Sequence, residues 1–167
     1  MNVTFDWNEW FSILSALTFF GLFFIIRKYF PLVMVIIIWI YNLAFVATID
    51  YFLIASPFKL YIFGDNPSYE LSGGLFHFLI YPSASLIFLF VYDKFELYGK
   101  KTGWYILVWT GFALFFEWLC VINHALTYKG WKLYYSIPTY PIASIMLITL
   151  FRFTKKKLHK LSLQKSP

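Results

Sequence analysis

From Tyr29 to Ile49 no side chain carries a charge, and the run has the length a helix needs to cross a bilayer core, about 20 residues for about 30 Å. A stretch of this kind leaves the backbone little choice. In lipid every N–H and C=O must be bonded within the segment, which only a helix or a closed barrel achieves. Pro31 lies near the start of the run, where a missing N–H costs nothing.

Four more runs are similar. Trp10 to Ile26 stops at Arg27-Lys28. Leu71 to Tyr92 is interrupted only by His77. Gly103 to Ile122 carries Glu117, and Leu133 to Phe151 ends at Arg152. The chain is 60% hydrophobic and 13% charged, with mean hydropathy +0.67. Soluble domains are nearer 45–50% apolar and about 25% charged, so a soluble fold is excluded, and so is disorder. The expected fold is an all-α integral membrane bundle of five transmembrane helices, a single domain over residues 1–167 with 152–167 as a basic tail. The first two spans, joined only by Arg27-Lys28, should form a tight antiparallel hairpin.

Basic residues orient such a bundle. Arg27, Lys28, Lys94, Lys100, Lys101, Arg152, Lys155, Lys156, Lys157, Lys160 and Lys165 fall on one side of a five-span layout, and only Lys59, Lys129 and Lys132 on the other. The asymmetry predicts an N-terminus outside and a C-terminus in the cytoplasm, at the plasma membrane. Asp6 and Glu9 precede the first span with no Lys or Arg. A cleavable signal needs a positive leading region, so this span is expected to be retained. The net charge of +6 is thus a topology signal, and no nucleic-acid partner is expected. Tyr51–Phe63, with Pro57 and Lys59, is too short to span. It reads as lying in the outer interface, with continuation of the second helix as the rival.

Ionisable residues inside a span cost roughly 2.5–3.5 kcal/mol and point to function. Glu117 is the leading candidate. Cys120 and His124 follow at i+3 and i+7 on the same helical face, and Asn123 is one step off it. His77 and Asp50, the latter read as capping the second span, fall at a similar depth. Asp50, His77, Glu117, Asn123 and His124 therefore form a candidate ligand or proton site in the outer third of the bilayer. Three chemistries compete there. A metal site draws on Glu, Cys and His, but ligands stacked on one straight helix do not surround an ion, and no metal is assigned. A proton or ion pathway would run through Glu117 and His77. The structural reading is an interhelical hydrogen bond, with Glu117 neutral or paired to a His, Asn or Tyr of another helix. The prolines bear on the same region. Pro82 frees the carbonyl of Phe78, and Pro138 and Pro141 interrupt the last span early, so freed carbonyls could line a cavity.

The aromatics fit interfacial belts: Trp7, Trp10, Tyr51, Tyr61, Trp131, Tyr134 and Tyr135 outside, and Tyr92, Tyr98, Trp104 and Tyr105 inside. The tail from Arg152 to Lys160 should attract anionic lipid headgroups at about 1 kcal/mol per charge. Cys120 is the single cysteine, so no intramolecular disulfide forms. No phosphate-binding, dinucleotide, metalloprotease or nucleophile-elbow motif occurs, and no cofactor is called for.

Phe-Glu-Trp at 116–118, Tyr-Lys-Gly-Trp at 128–131, Tyr-Ser at 135–136 and Tyr-Pro at 140–141 resemble a family of small multi-span membrane proteins of bacilli and clostridia. The five-span layout and an acidic residue closing the second span are also similar. The resemblance implies a bacterial plasma-membrane protein; Glu117, Trp118 and Trp131 are the matching positions, and no catalytic role comes with them. A non-enzymatic binding or accessory protein is the expected function, with a membrane-protein partner or a second copy as companion. A small transporter or ligand-binding protein using the polar site is the alternative.

Overall fold

The computed structural model describes residues 5–54, 58–64 and 71–164. It contains five helices long and apolar enough to cross a membrane. Helix α1 spans Trp7–Ile26, α2 Leu32–Ile54, α3 Leu71–Lys94, α4 Lys100–Ile122 and α5 Ser136–Gln164.

Local chemistry accounts for several boundaries. Asp6 caps α1: its Oδ1 accepts the Asn8 N–H at 3.1 Å, while its own N–H donates to the Glu9 carboxylate at 2.9 Å. This capping box satisfies amides that the first helical turn leaves unpaired. The acidic pair that reads as a topology flank is thus also a helix start. Arg27–Tyr29 form a 3₁₀ turn before Pro31 opens α2. Gly99, at φ 62, precedes α4 in a backbone conformation that suits glycine.

α3 is the axis of the bundle. Both α1 and α2 pack mainly along it. The tight pairing expected of the first two spans is therefore reduced to side-chain contacts such as Phe23 on Trp39, with ring centroids 5.1 Å apart. Small side chains allow the approach of α1: Ser12 meets Ser72 at 3.1 Å, and Ala16 is buried. α4 pairs with α5, and α5 also leans on α2. A lower core gathers Met34, Ile38, Leu86, Phe88, Leu89 and Phe151, an upper one Ala16, Phe19, Phe63, Phe76, Ile80 and Cys120. Much of the remaining apolar surface is open, including Ile25, Trp104 and Val108, in keeping with helices long and apolar enough to cross a membrane.

α3 is not a uniform α-helix. Phe76–Ile80 form a π-helical turn in which the Tyr81 N–H reaches back to the Phe76 carbonyl. Pro82, directly after it, has no N–H for the Phe78 carbonyl, and the wider turn absorbs that defect. Pro138 falls within the first turn of α5, where donors are free in any case, so only Pro141 is a true interior interruption.

The segment after α2 divides. Residues 51–54 extend the helix, as the rival reading had it, and Asp50 accordingly lies one turn inside α2 rather than capping it. Tyr61–Phe63 form strand β1, antiparallel to β2, Leu126–Tyr128. No helical or interfacial reading anticipated this ribbon. The residues between, 55–57, lie outside those described. The Leu60 carbonyl anchors the ribbon by accepting the N–H groups of Lys129, Gly130 and Trp131, at 2.8–2.9 Å.

Candidate functional site

The ribbon end of the bundle brings the carboxylates together through tyrosines. Tyr61 and Tyr128 are register partners in the ribbon and so project from the same face. The Tyr61 hydroxyl donates to Asp50 Oδ1, and the Tyr128 hydroxyl to Glu117 Oε1 at 2.6 Å. One pair of cross-strand phenols thus holds one acid on α2 and one on α4.

Each acid has further partners. Asp50 Oδ2 lies 2.6 Å from His77 Nε2, with both residues buried. The π turn carries His77, so the irregularity in α3 coincides with the one histidine in the site. The His77 ring packs against Phe63 and Tyr81, at 5.2 and 5.9 Å between centroids. Glu117 is 7% exposed and accepts two more hydroxyls, Ser136 at 2.8 Å on Oε1 and Tyr140 at 2.7 Å on Oε2. Ser136 in turn receives the Trp131 indole N–H at 3.0 Å, and the Trp131 ring lies 6.0 Å from that of Tyr61. A continuous chain of contacts therefore runs from His77 through Asp50, Tyr61, Trp131 and Ser136 to Glu117.

Outside the spans, burial first and Asp50 second push the Tyr61 phenol well above its usual range. Burial and the hydrogen bond to Glu117 do the same for Tyr128. Both phenols are thereby held as hydrogen-bond donors at physiological pH.

Of the five residues singled out by sequence, Asp50, His77 and Glu117 join this network. Asn123 and His124 do not. α4 ends at Ile122, so the helical face expected to carry His124 has already stopped. His124 sits at φ 56 with its side chain exposed. Asn123 caps the helix end through the Leu119 carbonyl and accepts the Trp7 indole N–H at 2.6 Å. Cys120 is buried one turn from Glu117. Among the described residues no three of His, Cys, Asp and Glu gather as a metal-holding group.

Sequence reasoning missed Tyr61, Tyr128, Ser136 and Tyr140. The belt rule absorbed Tyr61, and the other three entered only as motif letters. The available signal was the demand of Glu117 itself: a buried carboxylate needs donors, and the hydroxyls of 128–140 sit at its depth.

A second polar knot closes the basic end. Asp93 accepts from Tyr29 at 2.9 Å, from Tyr98 at 2.8 Å and from Lys155 Nζ at 2.7 Å. Arg152 donates to the Tyr92 hydroxyl and lies over the rings of Tyr92 and Tyr98. Tyr92, expected in an interfacial belt, is 0% exposed and belongs to the core. The basic tail continues α5 as helix to Gln164, about 18 Å beyond Arg152 at 1.5 Å per residue.

In comparisons with known proteins, no family model, no curated protein and no solved structure matches the chain.

Proposed function

We propose that the chain is a non-enzymatic binding or accessory protein of the bacterial plasma membrane, the location implied by the family that residues 116–144 resemble, with the N-terminus outside and the basic end in the cytoplasm as the asymmetry of Lys and Arg indicates. One observation carries this reading: the acids and the histidine of the ribbon end are engaged with one another and with phenols. Asp50 is shared by Tyr61 and His77, and Glu117 by Tyr128, Ser136 and Tyr140. Nucleophilic catalysis needs a nucleophile within hydrogen-bond reach of a base, and the partner found on His77 is a carboxylate. What the network does produce is a braced outer end, ringed by exposed Trp7, Trp10, Tyr51, Phe58, Trp118 and Tyr134. Such a collar suits a partner approaching in the membrane plane, where amphipathic rings are at home.

The test is photo-crosslinking from position 118 in intact cells, followed by purification in mild detergent. A stoichiometric membrane-protein partner or a homo-oligomer is expected; a chain recovered only as an uncrosslinked monomer overturns the reading. Orientation has its own check. With Cys120 replaced by alanine, Lys129→Cys should label with an impermeant thiol reagent and Ser162→Cys should not; the reverse pattern inverts the bundle.

The Asp50–His77 contact on a π turn favours the transporter or ligand-binding alternative, since such turns recur at functional sites. That alternative requires a small molecule that copurifies with the chain and is lost in Asp50→Asn.

A further inference from the structure

At the opposite end of the bundle, the turn between α1 and α2 borders a cleft of about 410 Å³ lined by Phe24, Arg27, Lys28, Phe30, Leu32 and Val35. We infer that this cleft is a binding site for an anionic phospholipid, its phosphate on Arg27 and Lys28 and the start of an acyl chain along Phe24, Leu32 and Val35. The inference is independent of what the ribbon end does.

Charge complementarity commits the occupant. Among the described residues neither Arg27 nor Lys28 has an acidic partner. Asp93, which the neighbouring Tyr29 reaches, is already engaged by Lys155. Two cations with no ion-pair partner among the described residues therefore stand free for a headgroup. α2 starts at Leu32, which lines the same cleft, and helix N-termini favour a phosphate. Phe30, 7% exposed, closes the floor, its ring 6.1 Å from that of Phe151 in α5. The walls, Phe24 and Leu32, are 54% and 61% exposed. An open apolar wall beneath paired cations has the polarity of a lipid, charged at the membrane surface and apolar below it. Inorganic phosphate would use the cations and leave the wall bare.

The experiment compares lipids retained by the full chain after extraction from nanodiscs of phosphatidylcholine doped with phosphatidylglycerol, read by native mass spectrometry. The wild type should retain phosphatidylglycerol preferentially. Removing both cations in R27Q/K28Q should weaken the preference roughly thirtyfold, as expected for two charges near an anionic surface. Among the described residues these exposed side chains form no ion pair or hydrogen bond, and circular dichroism will report whether the variant folds. K156Q/K157Q, which removes two charges of the helical tail away from the cleft, should weaken retention less than R27Q/K28Q does, since only a screened general attraction to the surface is lost. Equal loss in both variants, or no loss in R27Q/K28Q, overturns the site. Displacement of the lipid by inorganic phosphate, or retention of a short-chain phosphatidylglycerol as strong as that of the long-chain form, overturns the lipid assignment.

Discussion

Replacing Glu117 by leucine should destabilise the bundle, although the change removes a polar group from an apolar region. The reason lies in its partners. Substituting a buried polar group is harmless or favourable only when the groups bonded to it are replaced as well, and here three hydroxyls lose their acceptor at once. Interhelical hydrogen bonds in membranes average about 0.6 kcal/mol, so three give about 2 kcal/mol as a lower figure. Orphaned buried donors cost about 1–3 kcal/mol each. Ser136 keeps the Trp131 indole as a donor, and Tyr128 is only half-buried and turns outward cheaply. A loss of about 2–5 kcal/mol is expected. Glu117→Gln retains an acceptor at Oε1 for Tyr128 and Ser136 and asks only that the Tyr140 hydroxyl reverse its role, a cost of about 1 kcal/mol. Reversible unfolding in mixed micelles, followed by circular dichroism, should rank wild type above Gln above Leu. Adding Tyr128→Phe, Ser136→Ala and Tyr140→Phe to Glu117→Leu should restore much of the loss. A leucine variant as stable as wild type, or a combined variant no better than leucine alone, would refute the reasoning.

Two further expectations concern the other knots. Asp50→Asn leaves a single oxygen for Tyr61 and His77, so the ribbon loses part of its tether; amide exchange at Ile62 and Thr127 should quicken about tenfold, matching about 1.4 kcal/mol, and unchanged protection would detach Asp50 from the ribbon. At the basic end, the hydrogen bond to Asp93 and then burial raise the Tyr98 phenol from its usual 10 to about 12. A folded-state pKa above the unfolded one stabilises the fold fully below pH 10, and that contribution is lost as pH rises through about 12. Alkaline unfolding curves of wild type and Tyr98→Phe should therefore converge across this window, and a constant offset would contradict the assignment.

The five helices were legible because hydrocarbon thickness dictates the length of an uncharged run; the boundaries at Leu71 and Ile122 fall where expected, and errors arose where charge misled. Lys100 and Lys101 were taken as outside α4, yet lysine stems extend along a helix end and its first turn includes both. That Asp50, His77 and Glu117 lie toward the same end of the bundle was likewise legible from distance along each span. Which of them meet was not, because convergence depends on helix rotation, and spans apolar on every side carry little amphipathic signal of rotation. The ribbon escaped for another reason: strands of three residues have too few positions for period-two alternation to register.

The ribbon has a consequence for biogenesis. β1 is synthesised after two helices, while β2 does not exist until a fourth has emerged. Throughout that interval the hydrogen-bonding edge of β1 stands open and Asp50 waits for the tyrosine that β1 supplies to settle. Closing a loop of more than sixty residues is entropically slow compared with packing neighbouring helices. The seam should thus close last, after all the helices have packed. A chain that stalls after α3 would expose an unpaired strand at that end of the bundle, a recognisable mark for a quality-control protease, and the finished protein would conceal it.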